Sequence, residues 1–348
     1  MPPPGLQNLG NTCFMNSCIQ VLYQLKELTE ILNTHTAKWK ESPKTDDVQL
    51  VLGWLELHQI MQENSTVPNR MVAPHKFLHQ VFITAKSKSR ELFMMADQND
   101  ITEFLMFIIE SIHSVLARPI EMKVAGTPTT PTDELAIQCY KMFSDANAKD
   151  FSEITTLCNG IYLSEIWTRD GITTKHATKP EIYSQLSLPI PTKTDNGITL
   201  YDCFDEFTKD EYLEGDNAWF NENTGAKEDI CKRIRLWNFP AVLVITLQRF
   251  NGDSKNTNVV DFPIGDGELD LSKYVVGYNP DKYKYSLVGV CSHLGNLHGG
   301  HYVVFTRDQG DNQWYFCNDE RVEPVNMEMA KQAIVNQHAY CLIYRRVG

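Results

Sequence analysis

Three short stretches, far apart in a chain of 348 residues, carry side chains suited to acyl-transfer chemistry. The first ends in Cys13, directly after Gly10-Asn11-Thr12 and at the start of an apolar periodic run. A cysteine there meets unpaired backbone N–H groups and the positive end of a helix dipole, both of which favour the thiolate. The thiolate is the attacking species, so we expect a lowered pKa. Asn8, a few residues upstream, offers an amide that can donate to the oxyanion formed on attack. Read within its own helix, Cys13 is also a plausible packed thiol, and the local sequence leaves both readings open.

The second stretch is Gly299-Gly300-His301-Tyr302. Two glycines let another backbone, such as a substrate's, lie flat against the chain. The β run that follows holds the His301 ring rigid, as a general base requires. His293 and His298 compete for the same role, without a glycine pair before them. The third stretch closes on Asn318-Asp319. Asn318 can accept from the far imidazole nitrogen and so fix its tautomer, with Asp319 either assisting or serving as a structural residue of the same turn. Cysteine, histidine and an amide or carboxylate in this chain order follow the papain-like arrangement of a thiol hydrolase.

These parts need elements to position them. The first third reads helical, with apolar residues at helical spacing over Cys13 to Leu32, Val48 to Met61, His75 to Lys86 and Ile101 to Leu116. The Thr- and Pro-rich region from Ala125 to Asp133 reads as a loop or flexible insertion. Strands are expected over Gly160 to Trp167, Glu181 to Leu188 and Ala241 to Phe250, with a short helix over Leu200 to Thr208 and a turn over Glu214 to Gly225. Further strands follow over Tyr285 to Ser292, His301 to Thr306, Gln313 to Asn318 and Tyr340 to Arg345, with a short helix over Met327 to Val335. Helices first and strands later suggest an α+β fold, a helical lobe packed on a sheet-rich one with the site in the cleft between them.

Composition narrows the partners. With 32 Lys and Arg against 44 Asp and Glu, the net charge of -12 disfavours nucleic acid and anionic membranes and suits a basic protein segment. No apolar run approaches the roughly 20 residues of a membrane span, and the start has no apolar signal region. The nine cysteines are scattered without a CxxC pair. That pattern fits free thiols in a reducing compartment, so cytosol, nucleus or both are expected.

The boxes at both ends resemble those of the ubiquitin-specific proteases, a papain-like cysteine peptidase family. Gly5-Leu-Gln-Asn-Leu-Gly-Asn-Thr-Cys-Phe-Met-Asn-Ser17 is similar to the family's Cys box. His293-Leu-Gly, Gly299-Gly-His-Tyr302, Trp314 and Asn318-Asp319 look like its His box. Gln98-Asn-Asp-Ile-Thr-Glu-Phe-Leu105, Leu186 to Pro191, Trp237 to Phe250, Val260-Asp-Phe-Pro263 and Tyr340 to Tyr344 are similar to its intermediate landmarks. The resemblance runs from Gly5 to about Arg345. It implies a single catalytic domain over 1–348 shaped as a right hand: a helical thumb over about 5–150, β fingers within about 151–240, and a β palm over about 175–200 and 240–348. It also implies a deubiquitinase acting on ubiquitin and ubiquitinated proteins as a monomer, with room for regulatory protein partners. The ubiquitin tail, basic and ending Gly-Gly, would thread between thumb and palm.

By motif, the resemblance gives Cys13, His301 and Asn318 as the triad, Asn8 as oxyanion donor and Asp319 as helper. Gln98 and Asp100 become tail contacts, with Glu103 at the same helix start. Gly299, Gly300 and Tyr302 line the path. For both carboxylates the alternative is helix capping. Many family members carry a zinc ribbon made of two CxxC pairs. The corresponding positions here hold Trp167, Asp170, Asn221 and Thr224, so no structural zinc and no cofactor are expected. Two other readings remain: a catalytically silent ubiquitin-binding scaffold, or a protease for a different ubiquitin-like modifier. A scaffold would be expected to have lost part of the triad.

Overall fold

A computed structural model describes residues 2–65, 70–90, 98–192, 197–252, 254–265, 269–296 and 299–347. The helical part comprises α1 (Cys13–Gln24), α2 (Lys26–Thr34), α3 (Thr36–Lys40), α4 (Thr45–Asn64), α5 (His75–Ser87), α6 (Ile101–Leu116), α7 (Pro131–Asn147) and α8 (Glu153–Cys158). Two shorter helices, α9 (Leu200–Thr208) and α10 (Ala330–Ile334), lie within the strand-rich remainder.

The principal sheet has eight strands. Its path runs Arg321–Pro324, Trp314–Asn318, Gly299–Arg307, Lys284–Asn296, Ala339–Arg346, Val242–Gln248 and Leu186–Pro189, with Leu269–Asp270 pairing onto Lys284–Asn296. Only the Leu186–Pro189 strand pairs in parallel, along Val242–Gln248. Both faces are covered. Val242 and Val244 point into the core shared with the helices. Leu243, Ile245 and Leu247 point into a second core with Phe204 and Tyr344. Alternation along a strand makes this division, and burial on both faces explains why the strand reads as a continuous apolar run.

A four-stranded antiparallel sheet projects from this body in the order Lys175–Tyr183, Gly160–Thr168, Ile230–Asn238 and Glu211–Leu213. Twice the chain passes from this sheet directly into the principal one. It does so at Ser184-Gln185, and again at Phe239-Pro240-Ala241, where Pro240 has no N–H to continue a ladder.

Helix α1 positions the chemistry. It packs on the Gly299–Arg307 strand and is buried on nearly all sides. Gly289 lets it sit that close: a Cβ there would lie 3.1 Å from Val21 and 3.3 Å from the Phe305 carbonyl. From the other side, Phe14 meets Phe104 of α6 edge-on at 5.6 Å, a contact worth about 1 kcal/mol beyond its burial.

Several expectations change. The helix expected from Cys13 to Leu32 breaks at Leu25, which leaves helical geometry so that Leu28 and Leu32 of α2 turn into the core. The expected loop ends at Thr130, where α7 starts with a full capping box between Thr130 and Asp133 and Pro131 in its first turn. The strand expected over Glu181 to Leu188 divides between the two sheets. Ile230–Asn238 is an additional strand, and the turn over Glu214 to Gly225 contains one strand, Trp219–Asn221, of a small hairpin.

Candidate active site

The turn before α1 shapes the thiol's surroundings. Gly10 and Asn11 adopt left-handed backbone, with φ of 100° and 52°. Thr12 makes no side-chain cap. Its hydroxyl instead accepts from the Leu9 N–H at 2.9 Å, while the Asn8 side-chain Oδ1 accepts from the Gly10 N–H at 2.9 Å. The first turn of α1 therefore stays open toward Cys13. The Tyr302 N–H donates to the sulfur at 3.5 Å, across 289 positions of sequence.

The lowered pKa expected for Cys13 is not found. Burial pushes the thiol above its usual range, and the Asp319 carboxylate adds to the rise. N–H groups of Tyr302, Phe14 and Cys13 itself pull the other way and do not overcome it. With 3% of its surface exposed, the thiol is desolvated more than the helix end compensates.

His301 lies one residue before that Tyr302 contact, on the strand paired with Lys284–Asn296. Its Nε2 is 2.7 Å from Asn318 Oδ1 and 3.9 Å from Asp319 Oδ2. An Nε2–H donated to the Asn318 carbonyl leaves Nδ1 as the ring's acceptor. His293, the described competitor, is buried, with its ring 4.8 Å from that of Tyr302 and its Nδ1 3.3 Å from Lys255 Nζ. Burial first, and Lys255 second, bring its pKa down to about 4, so it is held neutral. His298 lies outside the described residues.

Asp319 joins these parts. Its backbone is left-handed, with φ of 49°. One side-chain oxygen accepts from the Asn8 amide at 2.8 Å and the other from the Asn16 amide at 2.8 Å. Its own carbonyl accepts from the Leu6 N–H at 2.9 Å. Hydrogen bonds to a charged carboxylate contribute about 1.5–3 kcal/mol each, so Asn8 is held in one orientation. Asn16 went unnoticed in the sequence, although it lies three residues after Cys13 and so on the same helix face.

Of the remaining predicted residues, Gln98, Asp100, Glu103, Gly299 and Tyr302 line a cleft of about 400 Å³ between the start of α6 and the Gly299–Arg307 strand, and Gly300 lies beside it. Asp100 caps α6: one carboxylate oxygen accepts from the Thr102 N–H at 2.7 Å. The other accepts from Tyr340 Oη at 2.6 Å and, at 3.5 Å, from Tyr302 Oη. Glu103 is exposed in the first helical turn. Gln98 Oε1 accepts from the Gly300 N–H at 2.8 Å, bridging the cleft. The glycines differ. A Cβ on Gly300 would lie 2.3 Å from the Leu294 carbonyl, so its own hairpin requires glycine, whereas Gly299 faces only Gln98 at 3.6 Å. Tyr340 was missed because only the fold brings it to Asp100.

The positions that match the zinc-ribbon cysteines, at the fingertip of the resemblance's right hand, hold hydrogen-bonded turns. Asp170 accepts from the Thr168 hydroxyl at 2.6 Å and from the Ile172 and Thr173 N–H groups at 3.0 and 2.9 Å. Asn221 and Thr224 both donate to Glu228, at 3.0 and 2.6 Å. Among the described residues, no three His, Cys, Asp or Glu side chains cluster as metal ligands.

A family model described as ubiquitin carboxyl-terminal hydrolase matches residues 4–344. The chain belongs to this family. Relatives include Ubiquitin carboxyl-terminal hydrolase 2 of Homo sapiens, 30% identical over 98% of this chain and 54% of that protein. Ubiquitin carboxyl-terminal hydrolase Usp2 of Drosophila melanogaster is 28% identical over 98% of this chain and 34% of that protein. The chain thus spans between about a third and about half of the length of these relatives. Among solved structures, a chain of the SAGA DUB module Ubp8(C146A)/Sgf11/Sus1/Sgf73 bound to monoubiquitin superposes with a TM-score of 0.69. That likeness covers 99% of this chain and 69% of the other at 24% identity, and it shows the fold: the right hand of the ubiquitin-specific proteases, with helical thumb, β fingers and β palm.

Proposed function

We propose that this chain is a thiol-dependent deubiquitinase that hydrolyses the bond after the terminal glycine of ubiquitin. One observation carries the reading. A cysteine at a helix start meets the backbone of Tyr302, and the adjacent His301 is hydrogen-bonded at 2.7 Å to Asn318. Family membership and the ubiquitin-bound relative support the substrate.

In this mechanism His301 takes the Cys13 proton through Nδ1, with Asn318 fixing the ring. Because Cys13 is protonated at rest, proton transfer accompanies attack. The sulfur attacks the glycine carbonyl, and the Asn8 amide and Cys13 N–H receive the oxyanion. Asn8 donates to Asp319 in the free chain, so Asp319 aims it toward the site. His301 then protonates the departing lysine amine, and water hydrolyses the thioester. Gln98, Asp100, Glu103, Gly299, Gly300 and Tyr302 form the tail path. Gln98 releases the Gly300 N–H as the tail enters, and Asp100 acts through its cap and its tyrosine contacts.

The reading includes action as a monomer in cytosol or nucleus, under protein regulators. Cleavage of isopeptide-linked di-ubiquitin tests it. Wild type should release mono-ubiquitin and Cys13→Ala should not. An inactive wild type that still binds ubiquitin would favour a silent scaffold, and exclusive cleavage of another Gly-Gly modifier would reassign the substrate.

A further inference from the structure

The Leu9–Thr12 turn has a second face. Leu9 and Thr12 join α5 in a groove of about 620 Å³ that shares no lining residue with the tail cleft. Leu9, Leu78 and Phe82 give it an apolar floor. His75 and His79 stand one helical turn apart on the rim. Both are exposed, and neither side chain makes a hydrogen bond or ion pair among the described residues. Lys76 between them is ion-paired with Glu56. No carboxylate lines the groove, although the whole chain carries 44 acidic against 32 basic residues. The rim therefore offers two imidazoles and one ammonium, and no carboxylate, on an acidic protein.

Its place decides what reaches it. The tail cleft approaches Cys13 through Tyr302, while the groove ends on Thr12, the residue before the nucleophile. A ubiquitin tail that arrives along Gln98 and Gly300 leaves its acylated lysine to continue over the turn. Every turnover delivers a polypeptide, the one bearing that lysine, to this side.

We propose that the α5 groove is a leaving-group subsite. It takes a segment of the target protein flanking the modified lysine, with an apolar side chain for the Leu78–Phe82 floor and a carboxylate that accepts from the His75 and His79 ring N–H groups beside the Lys76 ammonium. The inference rests on the deubiquitinase reading. It makes cleavage depend on the sequence around the lysine as well as on ubiquitin.

The test uses three substrates sharing one ubiquitin: a terminal coumarin amide, an isopeptide to a lysine peptide with Leu and Glu flanks, and one to a lysine peptide with Gly and Ser flanks. Wild type should favour the Leu/Glu peptide over the Gly/Ser peptide by about tenfold in kcat/KM. The double variant His75→Glu/His79→Glu should bring that ratio close to one, and Phe82→Ala should lower it. Ratios within one enzyme cancel any change in the folded fraction. Equal cleavage of both peptides by an active wild type, or a ratio preserved in the double variant, overturns the subsite alone. A wild type inactive on all three substrates, coumarin included, overturns the deubiquitinase reading and this inference with it.

Discussion

The catalytic cleft and the fingertips are built on opposite plans. In the cleft, one carboxylate, Asp319, holds side chains 303 and 311 positions away. At the fingertips, Asp170 and Glu228 hold partners within seven positions. A local turn folds and fails by itself. The cleft exists only when helix α1, the amino-terminal segment and the Asn318–Arg321 turn have all docked. Function concentrated in long-range contacts should therefore be brittle at single residues, whereas the fingertips should tolerate change.

The largest effect should follow Asp319→Ala, which unties Asn8 and Asn16 together. Turnover of a ubiquitin coumarin amide should fall about 10³-fold in kcat/KM. A loss below tenfold would mean that the hub is only structural. In the proposed mechanism Asn8→Ala removes one oxyanion donor, so it should cost about 10²-fold, in kcat more than in KM. A change confined to KM would place Asn8 in substrate binding instead.

The cleft should also be the acid-sensitive region. His293 is buried and neutral, with a pKa of about 4 against 6.5 for a free imidazole. Its unfolded form takes up a proton first, so its contribution is complete above pH 6.5 and is lost as pH falls toward 4. That contribution is about 3 kcal/mol at most. Urea midpoints at pH 7.5 and pH 5 should show wild type losing stability on acidification, with a shallower loss in His293→Gln. Parallel losses would place the acid sensitivity elsewhere. The smallest effect belongs to the fingertip. Asp170→Ala should leave coumarin-amide kcat/KM within about twofold and lower the melting temperature slightly. A collapse of activity would break the contrast between the two regions.

The same contrast explains what could be read from the chain. Helices with a strong local period, Ile101–Leu116 and Leu200–Thr208, lie where the spacing puts them. Helix α7 was hidden by Thr and Pro, although Thr130, Pro131 and Asp133 spell its start. Strand Ile230–Asn238 was obscured by Lys and Arg residues that interrupt its alternation. Cys13, His301 and Asn318 could be picked out as candidates because their types and order suit one chemistry, and the fold adds the His301–Asn318 and Tyr302–Cys13 hydrogen bonds. The ties of Asp319 to Asn8 and Asn16, and of Tyr340 to Asp100, were not, because nothing local records a partner some 240 to 311 positions away. The raised Cys13 pKa was likewise hidden, since burial is a property of the assembled core.

The central claim is that Cys13 attacks the carbonyl at the ubiquitin terminus. It is tested most directly by reacting the protein with ubiquitin bearing an electrophile in place of that carbonyl and mapping the adduct by peptide mass spectrometry. The account predicts one adduct, on Cys13, absent in Cys13→Ala and strongly slowed in His301→Ala. An adduct on any of the other eight cysteines, or one formed equally fast without His301, would contradict it.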